Sequence, residues 1–303
     1  MVATRLGGPE VLEIRDLPEP QAGPGEVLLR VHRAGVNFAD LASTRGTYAQ
    51  APPPPFVPGL EVSGHEVRSG RPVIAIVPSG GYAEVVAADE RFVWDAQGMN
   101  LDEAGGYPLV ALTAYYALRH VARLGRGETV LITAAAGGVG SAAIQVARAL
   151  GAGRVVGVAS TDEKQERVRQ LGADEAVGYQ DALPGPVDVM VDMVGGDIFR
   201  SALKVMAPFG RMVCIGSTSG QVQEIPPVGE LRVLGVGVLP FSMGALRARH
   251  PDLYASTVSE GLELMRSGAV RPPISQVLPL AEAATAHRLL AGRSTMGKLL
   301  LAI

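Results

Sequence analysis

The stretch Ala134-Ala135-Ala136-Gly137-Gly138-Val139-Gly140 decides the fold. It separates the apolar run Thr129-Val130-Leu131-Ile132, which predicts a buried strand, from an alanine-rich segment over 139–150, which predicts a helix. A glycine-rich turn in this place lets the backbone approach a pyrophosphate, and the amides at the helix N-terminus can bind its charge. The stretch therefore predicts a dinucleotide site, in which Gly137 allows the close approach and Gly140 allows the helix to pack on the strand.

The next predicted strand, 154–159, indicates which nicotinamide cofactor fits. An NAD site places an acidic residue at the end of this strand, where it binds the ribose 2′-hydroxyl. Here Ser160 follows the strand, and Lys164 lies one turn into a helix whose capping box we predict from Ser160 and Glu163. A hydroxyl and a cation suit a 2′-phosphate, so we predict NADPH. Asp162, an acid nearby, argues weakly against this, unless its role is to stabilise the positive end of the helix dipole. The alternative is that Lys164 is an ordinary solvated lysine, although the chain has few: Lys164, Lys204 and Lys298.

Further strands and helices alternate after this unit. The continuous apolar runs at 187–192, 211–215 and 231–239 predict a parallel sheet covered by helices on both faces. The last run is long and apolar, so we predict an edge strand that pairs with a twofold copy and makes a homodimer. The alternative is that the tail of the chain covers it. In that tail we predict a helix over 254–266 and a final strand over 298–303.

Composition excludes several classes of protein. The net charge is −3, and no long basic run offers a surface for nucleic acid. The single cysteine, Cys214, cannot form an internal disulfide or a cysteine-rich zinc site, which fits a reducing compartment. The N-terminus lacks the pattern of a signal peptide, and no apolar stretch reaches the ~18 residues of a membrane span. We therefore predict a cytoplasmic protein without nucleic-acid or membrane partners.

Three segments resemble the zinc-free quinone oxidoreductases (ζ-crystallin-like) of the medium-chain dehydrogenase/reductase superfamily. They are Gly35-Val36-Asn37-Phe38-Ala39-Asp40, the segment 109–115 and the glycine stretch 134–140. The resemblance implies a GroES-like β-barrel catalytic domain built from 1–110 and 241–303, with a doubly wound Rossmann domain for NADPH over 111–240. It also implies hydride transfer from NADPH to a quinone.

The resemblance assigns roles to individual residues. Asn37 would hydrogen-bond the acceptor or the cofactor, and Tyr48 would line or gate the substrate pocket. Near the nicotinamide or the pyrophosphate it implies Asn37, Thr113, Gly137, Gly138, Val139, Gly140 and Ser217. It implies Lys164, Tyr179 and Arg293 at the adenosine phosphate, beside Ser160, and the backbone of Phe241 at the carboxamide.

The sequence departs from this superfamily at several positions. Zinc-dependent members have Cys where Asn37 stands and His where Leu60 stands, so we predict no metal. The family often has Tyr five residues after the Asn, but this chain has Ala42. Two other functions stay open: reduction of the C=C bond of an enone or enal, and a non-catalytic, crystallin-like role that only binds NADPH.

Overall fold

The structure, a computed structural model, describes residues 1–221 and 224–303. It divides into two compact units. The terminal unit comprises Met1–Leu112, Gly244–Arg266 and Pro272–Ile303. The central unit comprises Thr113–Met243 and Ser267–Arg271.

The strands and helices of the described residues are as follows. The strands are β1 (Val2–Ala3), β2 (Leu12–Glu13), β3 (Glu26–Val36), β4 (Glu61–Glu66), β5 (Pro72–Ile76), β6 (Val85–Asp89), β7 (Val93–Asp95), β8 (Thr129–Ile132), β9 (Arg154–Val158), β10 (Glu175–Val177), β11 (Val187–Asp192), β12 (Met206–Cys214), β13 (Gly237–Pro240), β14 (Ile274–Pro279) and β15 (Lys298–Ala302). The α-helices are α1 (Phe38–Thr44), α2 (Leu101–Ala104), α3 (Pro108–Tyr115), α4 (Gly138–Ala149), α5 (Asp162–Gln170), α6 (Asp197–Leu203), α7 (Val228–Leu234), α8 (Met243–Arg249), α9 (Pro251–Thr257), α10 (Ser259–Arg266) and α11 (Ala283–Ala291).

The central unit contains a parallel sheet of six strands in the order β10-β9-β8-β11-β12-β13. Two runs spread from β8 in opposite directions, which is the doubly wound Rossmann order. Helix α4 packs closely on β8 because Gly140 has no side chain; a Cβ there would overlap the carbonyl oxygen of Ala134. The predicted α/β fold class, with a doubly wound parallel sheet, is confirmed.

The terminal unit is built on a sheet in the order β14-β15-β3-β4-β5-β7, with β6 also paired to β3. Its core includes Leu29, Val62 and Leu301, all fully buried. Strand β3 pairs antiparallel with β15, and Val36 lies opposite Leu299. This register brings Asn37, directly after β3, to the start of β15.

The prediction of one long strand over 231–239 is wrong. Helix α7 occupies the first part of this run, and only the short strand β13 follows. Gly235 ends the helix in the left-handed conformation with φ 66°, which glycine adopts without steric cost. The edge position is nevertheless correct, because β13 is the last strand of the central sheet.

Two predicted helix boundaries are also wrong. The helix expected over 254–266 is divided into α9 and α10. The hydroxyl of Thr257 donates to the carbonyl of Leu253 at 2.7 Å, and such back-bonding competes with the helical ladder. Helix α5 is capped by Thr161 instead of Ser160, because the Thr161 hydroxyl accepts the amide hydrogen of Lys164.

Candidate functional site

Most of the predicted cofactor residues follow strands of the central sheet. The glycine stretch follows β8, Ser160 comes after β9, Tyr179 after β10, Ser217 after β12 and Phe241 after β13. Because all six strands are parallel, their carboxyl ends meet at one edge of the sheet. Residues far apart in sequence are thereby collected where doubly wound folds bind their ligands.

The glycine stretch leaves backbone donors open at the start of α4. Gly137 is the N-cap residue, and no side chain caps the helix. The amides of Gly138 and Val139 have no partner within the helix, as for any first helical turn. Among the described residues, a Cβ added at Gly137 would have one neighbour within 4 Å, the carbonyl oxygen of Ala134 at 3.2 Å. The space in front of the turn is therefore open. An open, glycine-capped helix end is chemically suited to a phosphate.

Two side chains that follow or end other strands of the sheet brace this turn. The hydroxyl of Tyr179 accepts the amide hydrogen of Ala134 at 3.1 Å. Asp192, buried at the end of β11, accepts the hydroxyl hydrogen of Thr133 at 2.8 Å and the amide hydrogen of Val194 at 2.9 Å. Tyr179 therefore lies at the glycine turn; its contact with an adenosine phosphate stays a prediction.

The end of β9 carries no acidic side chain. Ala159 is buried and Ser160 is exposed. Lys164 follows in the first turn of α5 and is partly buried. Burial lowers the pKa of Lys164, and the charge of Glu163 opposes that shift. A cation and a hydroxyl are thus presented at the carboxyl end of the second strand of the unit.

The remaining predicted residues of the central unit occupy different settings. Thr113 is buried in α3. Ser217 is exposed, and its hydroxyl donates to the carbonyl of Gln221 at 2.7 Å. The amide of Phe241 donates to the carbonyl of Cys214 at 2.9 Å, so a carboxamide contact at Phe241 would fall to its own carbonyl.

In the terminal unit, the side-chain amide of Asn37 is held from both ends. Its Nδ2 donates to Glu61 Oε1 at 2.9 Å and to the carbonyl of Gly35 at 3.3 Å. Its Oδ1 accepts from Lys298 Nζ at 2.6 Å. Both amide hydrogens are therefore used internally, and the predicted contact with a ligand falls to the second lone pair of Oδ1.

Lys298 and Glu61 form a buried ion pair that the sequence analysis missed. Lys298 Nζ also donates to the carbonyl of Val36 at 2.8 Å, and Glu61 Oε2 accepts the amide hydrogen of Leu109 at 2.8 Å. These contacts satisfy charges that burial would otherwise penalise. The sequence feature that could have indicated this pair is Lys298 itself, because it is one of three lysines and begins an apolar strand.

A second branch of the network leads away from Asn37 through Asp40. Its Oδ2 accepts the backbone amide hydrogen of Asn37 at 2.8 Å and the hydroxyl hydrogen of Tyr82 at 3.2 Å. The hydroxyl oxygen of Tyr82 lies 3.3 Å from His287 Nε2. Burial raises the pKa of Asp40 to about 7 and lowers the pKa of His287 to about 4. His287 is therefore neutral at physiological pH, whereas Asp40 is close to its titration midpoint.

Tyr48 and Arg293 also belong to the terminal unit. The hydroxyl of Tyr48 lies against Gly244, where an added Cβ would overlap it. Arg293 is exposed just after α11, with φ 55°. The roles proposed for both residues stay predictions.

Residues 1–221 and 224–303 contain no group of three or more His, Cys, Asp or Glu side chains arranged to hold a metal ion. In the same described residues, no helix combines the length and the apolar character that a membrane span requires.

Comparison with known proteins places these features in a family. Residues 23–98 match the family model "Alcohol dehydrogenase GroES-like domain", and residues 138–260 match "Zinc-binding dehydrogenase". A quinone oxidoreductase of Pseudomonas aeruginosa is 36% identical, over 97% of this chain and 96% of the relative. Quinone oxidoreductase-like protein 2 of Bos taurus is 33% identical, over 96% of this chain and 89% of the relative.

Solved structures agree with these relatives. The quinone oxidoreductase of Thermus thermophilus, solved alone and with NADPH, is 38% identical with a TM-score of 0.87, covering 100% of this chain and 99% of that one. The Escherichia coli quinone oxidoreductase, complexed with NADPH, is 28% identical with a TM-score of 0.87 and the same coverage. The resemblance seen in the sequence is confirmed: this chain belongs to the quinone oxidoreductase family of the medium-chain dehydrogenase/reductase superfamily.

Proposed function

We propose that this protein reduces quinones with NADPH and needs no metal. The observation that carries the proposal is the carboxyl edge of the central sheet. An open, glycine-capped helix end follows β8, and Ser160 with Lys164, in place of an acid, follows β9. The first feature suits a pyrophosphate and the second suits a 2′-phosphate. The related structures solved with NADPH support the same cofactor here.

In this reaction, the residues of the chain would bind and orient the cofactor and the acceptor. The amides of Gly138 and Val139 would hold the pyrophosphate, and Ser160 with Lys164 would hold the 2′-phosphate. When bound, NADPH supplies the hydride. Asn37, whose amide is fixed by Lys298 and Glu61, would offer its Oδ1 to a hydroxyl group of the ligand.

Little acid–base chemistry is required of the protein in this reaction. A quinone that accepts a hydride becomes a hydroquinone anion, and water can protonate its oxygen. Catalysis would then consist mainly of positioning, which makes the transfer effectively unimolecular. This agrees with a terminal unit whose titratable groups near Asn37 are tied to one another inside the protein.

Metal independence is the second part of the proposal. The side chain of Asn37 is oriented by three internal hydrogen bonds, and Leu60 offers no ligand atom. A zinc site requires several nitrogen, sulfur or oxygen ligands at short range. We expect full activity after prolonged dialysis against a chelator. Loss of activity that added zinc restores would refute this part.

Steady-state kinetics test the reaction. Oxidation of NADPH by the purified protein should be followed with a quinone panel, such as para-benzoquinone and naphthoquinone, and with an enone panel, such as cyclohexenone and hexenal. We expect kcat/KM to favour quinones. A preference for enones would indicate the C=C reductase instead. NADPH binding without oxidation by either panel would indicate a non-catalytic role.

We further propose that the protein forms a homodimer through the β13 edge and α7. Helix α7 has no buried residue, and it exposes Val228 and Val233 to 81% and 83%. Phe209, whose amide donates to the carbonyl of Gly235 just after α7, is 85% exposed. Apolar side chains and open sheet edges are normally covered in proteins. A twofold copy of the chain would cover the α7 side chains and the β13 edge at once.

A further inference from the structure

A polar pair in the terminal unit has no part in the network around Asn37. The hydroxyl of Tyr48 lies against the backbone of Gly244, near the start of α8. Gly244 must lack a side chain for Tyr48 to occupy this place. Arg247 follows three residues later, so it lies on the same face of the helix as Gly244. The charge of Arg247 and the phenol of Tyr48 are close enough to act on one another electrostatically.

Arg247 is a partly buried cation that forms no salt bridge with any residue that the structure describes, although the charge of Asp89 acts on it at longer range. Its guanidinium carbon lies 5.5 Å from the centre of the Phe92 ring. Its Nη1 atom is buried and has no hydrogen-bond partner among the described residues. Burial lowers the pKa of Arg247, which expresses the cost of keeping this charge away from water. An anion that binds beside a buried cation stabilises it, because the pair replaces the water that the cation has lost.

Arg91, beside the same ring, differs from Arg247 in having direct acidic partners. Arg91 lies 5.6 Å from the same ring, but it is exposed and pairs with Asp89 at 2.6 Å and with Asp252 at 2.8 Å. Those two carboxylates therefore pair directly with Arg91, and Asp89 acts on Arg247 only at longer range. Two arginines lie against this ring, and in the part of the chain that the structure describes only Arg91 forms salt bridges.

Tyr48 complements this cation as a donor. Burial raises the pKa of Tyr48, and Arg247 acts in the opposite direction without reversing the shift. The phenol therefore stays protonated at neutral pH and can donate its hydrogen. A guanidinium and a phenol that both donate suit a ligand that brings only acceptor oxygens.

We propose that Arg247 and Tyr48 form a binding subsite for an anionic substituent, a sulfonate or a carboxylate, on the electron acceptor. This inference rests on the proposed function, because it assigns the class of quinone that the protein prefers. Arg247 supplies the charge, Tyr48 supplies a hydrogen bond, and Phe92 holds the guanidinium in place. Acidic quinones are thereby favoured over neutral quinones of the same size.

Kinetics with a matched pair of quinones test the subsite. Naphthoquinone and naphthoquinone sulfonate share one ring system and differ in charge. Arg247→Gln should raise KM for the sulfonate roughly tenfold to hundredfold, the range of one charge-assisted hydrogen bond, and change KM for neutral naphthoquinone little. Arg247→Lys should restore part of the difference. Arg249→Gln, which removes an exposed arginine from the same helix α8, is the matched control and should change neither.

A binding experiment separates the subsite from the reaction. Trp94, the single tryptophan, has its ring 6.4 Å from that of Tyr254, which in turn lies 5.5 Å from the ring of Phe92. Quenching of its fluorescence by naphthoquinone sulfonate, without NADPH, reports binding with no need for turnover. We expect tight, salt-sensitive binding that Arg247→Gln weakens and that the control Arg249→Gln retains.

The two readouts have distinct outcomes. Binding that depends on Arg247, without oxidation of NADPH, would support the subsite and overturn the proposed function. Turnover of both quinones with equal KM in the wild type and in Arg247→Gln would overturn the subsite and leave the proposed function standing. Equal weakening of both quinones would also overturn it, since the selectivity for the anion would then be absent. Thermal unfolding of each variant verifies that it is folded.

Discussion

Lys298 Nζ lies 2.8 Å from Glu61 Oε1, and the two side chains are only 2% and 0% exposed. The pair joins the last strand of the chain to β4 and fixes Asn37 between them. A buried pair contributes little net stability compared with apolar residues, but the removal of one partner leaves the other charge uncompensated.

Lys298→Met should therefore lower the free energy of unfolding by about 3–5 kcal/mol. The double variant Lys298→Met with Glu61→Gln should recover much of this loss, because no charge remains buried. Lys298→Arg, which keeps the charge, should be milder than Lys298→Met. Denaturant unfolding of the four proteins measures these differences. A loss below about 1 kcal/mol for the single variant would show that water reaches the pair.

Asp40 should make stability depend on pH in a defined direction. Its pKa is raised from 3.8 to about 7, with burial as the main cause. The folded protein then binds a proton that the unfolded chain releases, so this contribution is complete below about pH 4 and is lost as the pH rises to about 7. The loss is at most about 4 kcal/mol, since one pKa unit corresponds to about 1.4 kcal/mol.

His287 acts in the opposite direction over nearly the same range. Its pKa is lowered from 6.5 to about 4 by burial and by the charge of Arg45, so its contribution is present above pH 6.5 and is lost as the pH falls to about 4. Asp40→Asn and the wild type both contain His287, so its contribution to stability cancels when the two proteins are compared at each pH. The stability of Asp40→Asn relative to the wild type should rise from pH 4 to 7 and then level off. A difference independent of pH would contradict the raised pKa of Asp40.

Lys164→Ala should weaken NADPH binding and leave NADH binding nearly unchanged. A charge-assisted contact with the 2′-phosphate contributes roughly 1.5–3 kcal/mol, and NADH has no such phosphate. Dissociation constants from titration of cofactor fluorescence measure both. Lys204→Ala removes an exposed lysine after α6 and is the control. Equal losses for the two cofactors would assign Lys164 a structural role.

The dimer should depend on the exposed face of α7. Val228→Glu combined with Val233→Glu places two charges where the apolar surface would be buried. We expect a dimer for the wild type and a monomer for this variant in sedimentation equilibrium at micromolar concentration. Leu253→Glu, which changes a 54%-exposed residue in the terminal unit, should leave the dimer intact. A monomeric wild-type protein would contradict the proposed interface.

Local sequence was sufficient for the elements that carry the glycine turn. The apolar run of β8, the glycines after it and the alanine-rich helix α4 are all encoded within about twenty residues, the range over which backbone preference and hydrophobic periodicity act. Strands β8 and β11 have the predicted boundaries. Composition was less informative at 231–239, because the same apolar residues fit a strand or a helix, and Gly235 divides the run.

The sequence by itself determined the alternation of strands and helices, the glycine turn and the absence of an acid after β9, since each depends on neighbours in the chain. Only the tertiary structure decided the partners of Asn37. Lys298 is 261 positions away from it, and the antiparallel register of β3 with β15 brings the two together. Burial then makes a paired charge the stable arrangement, because an isolated charge in the same place is strongly penalised. Burial depends on every element packed around a residue, and no local pattern encodes it.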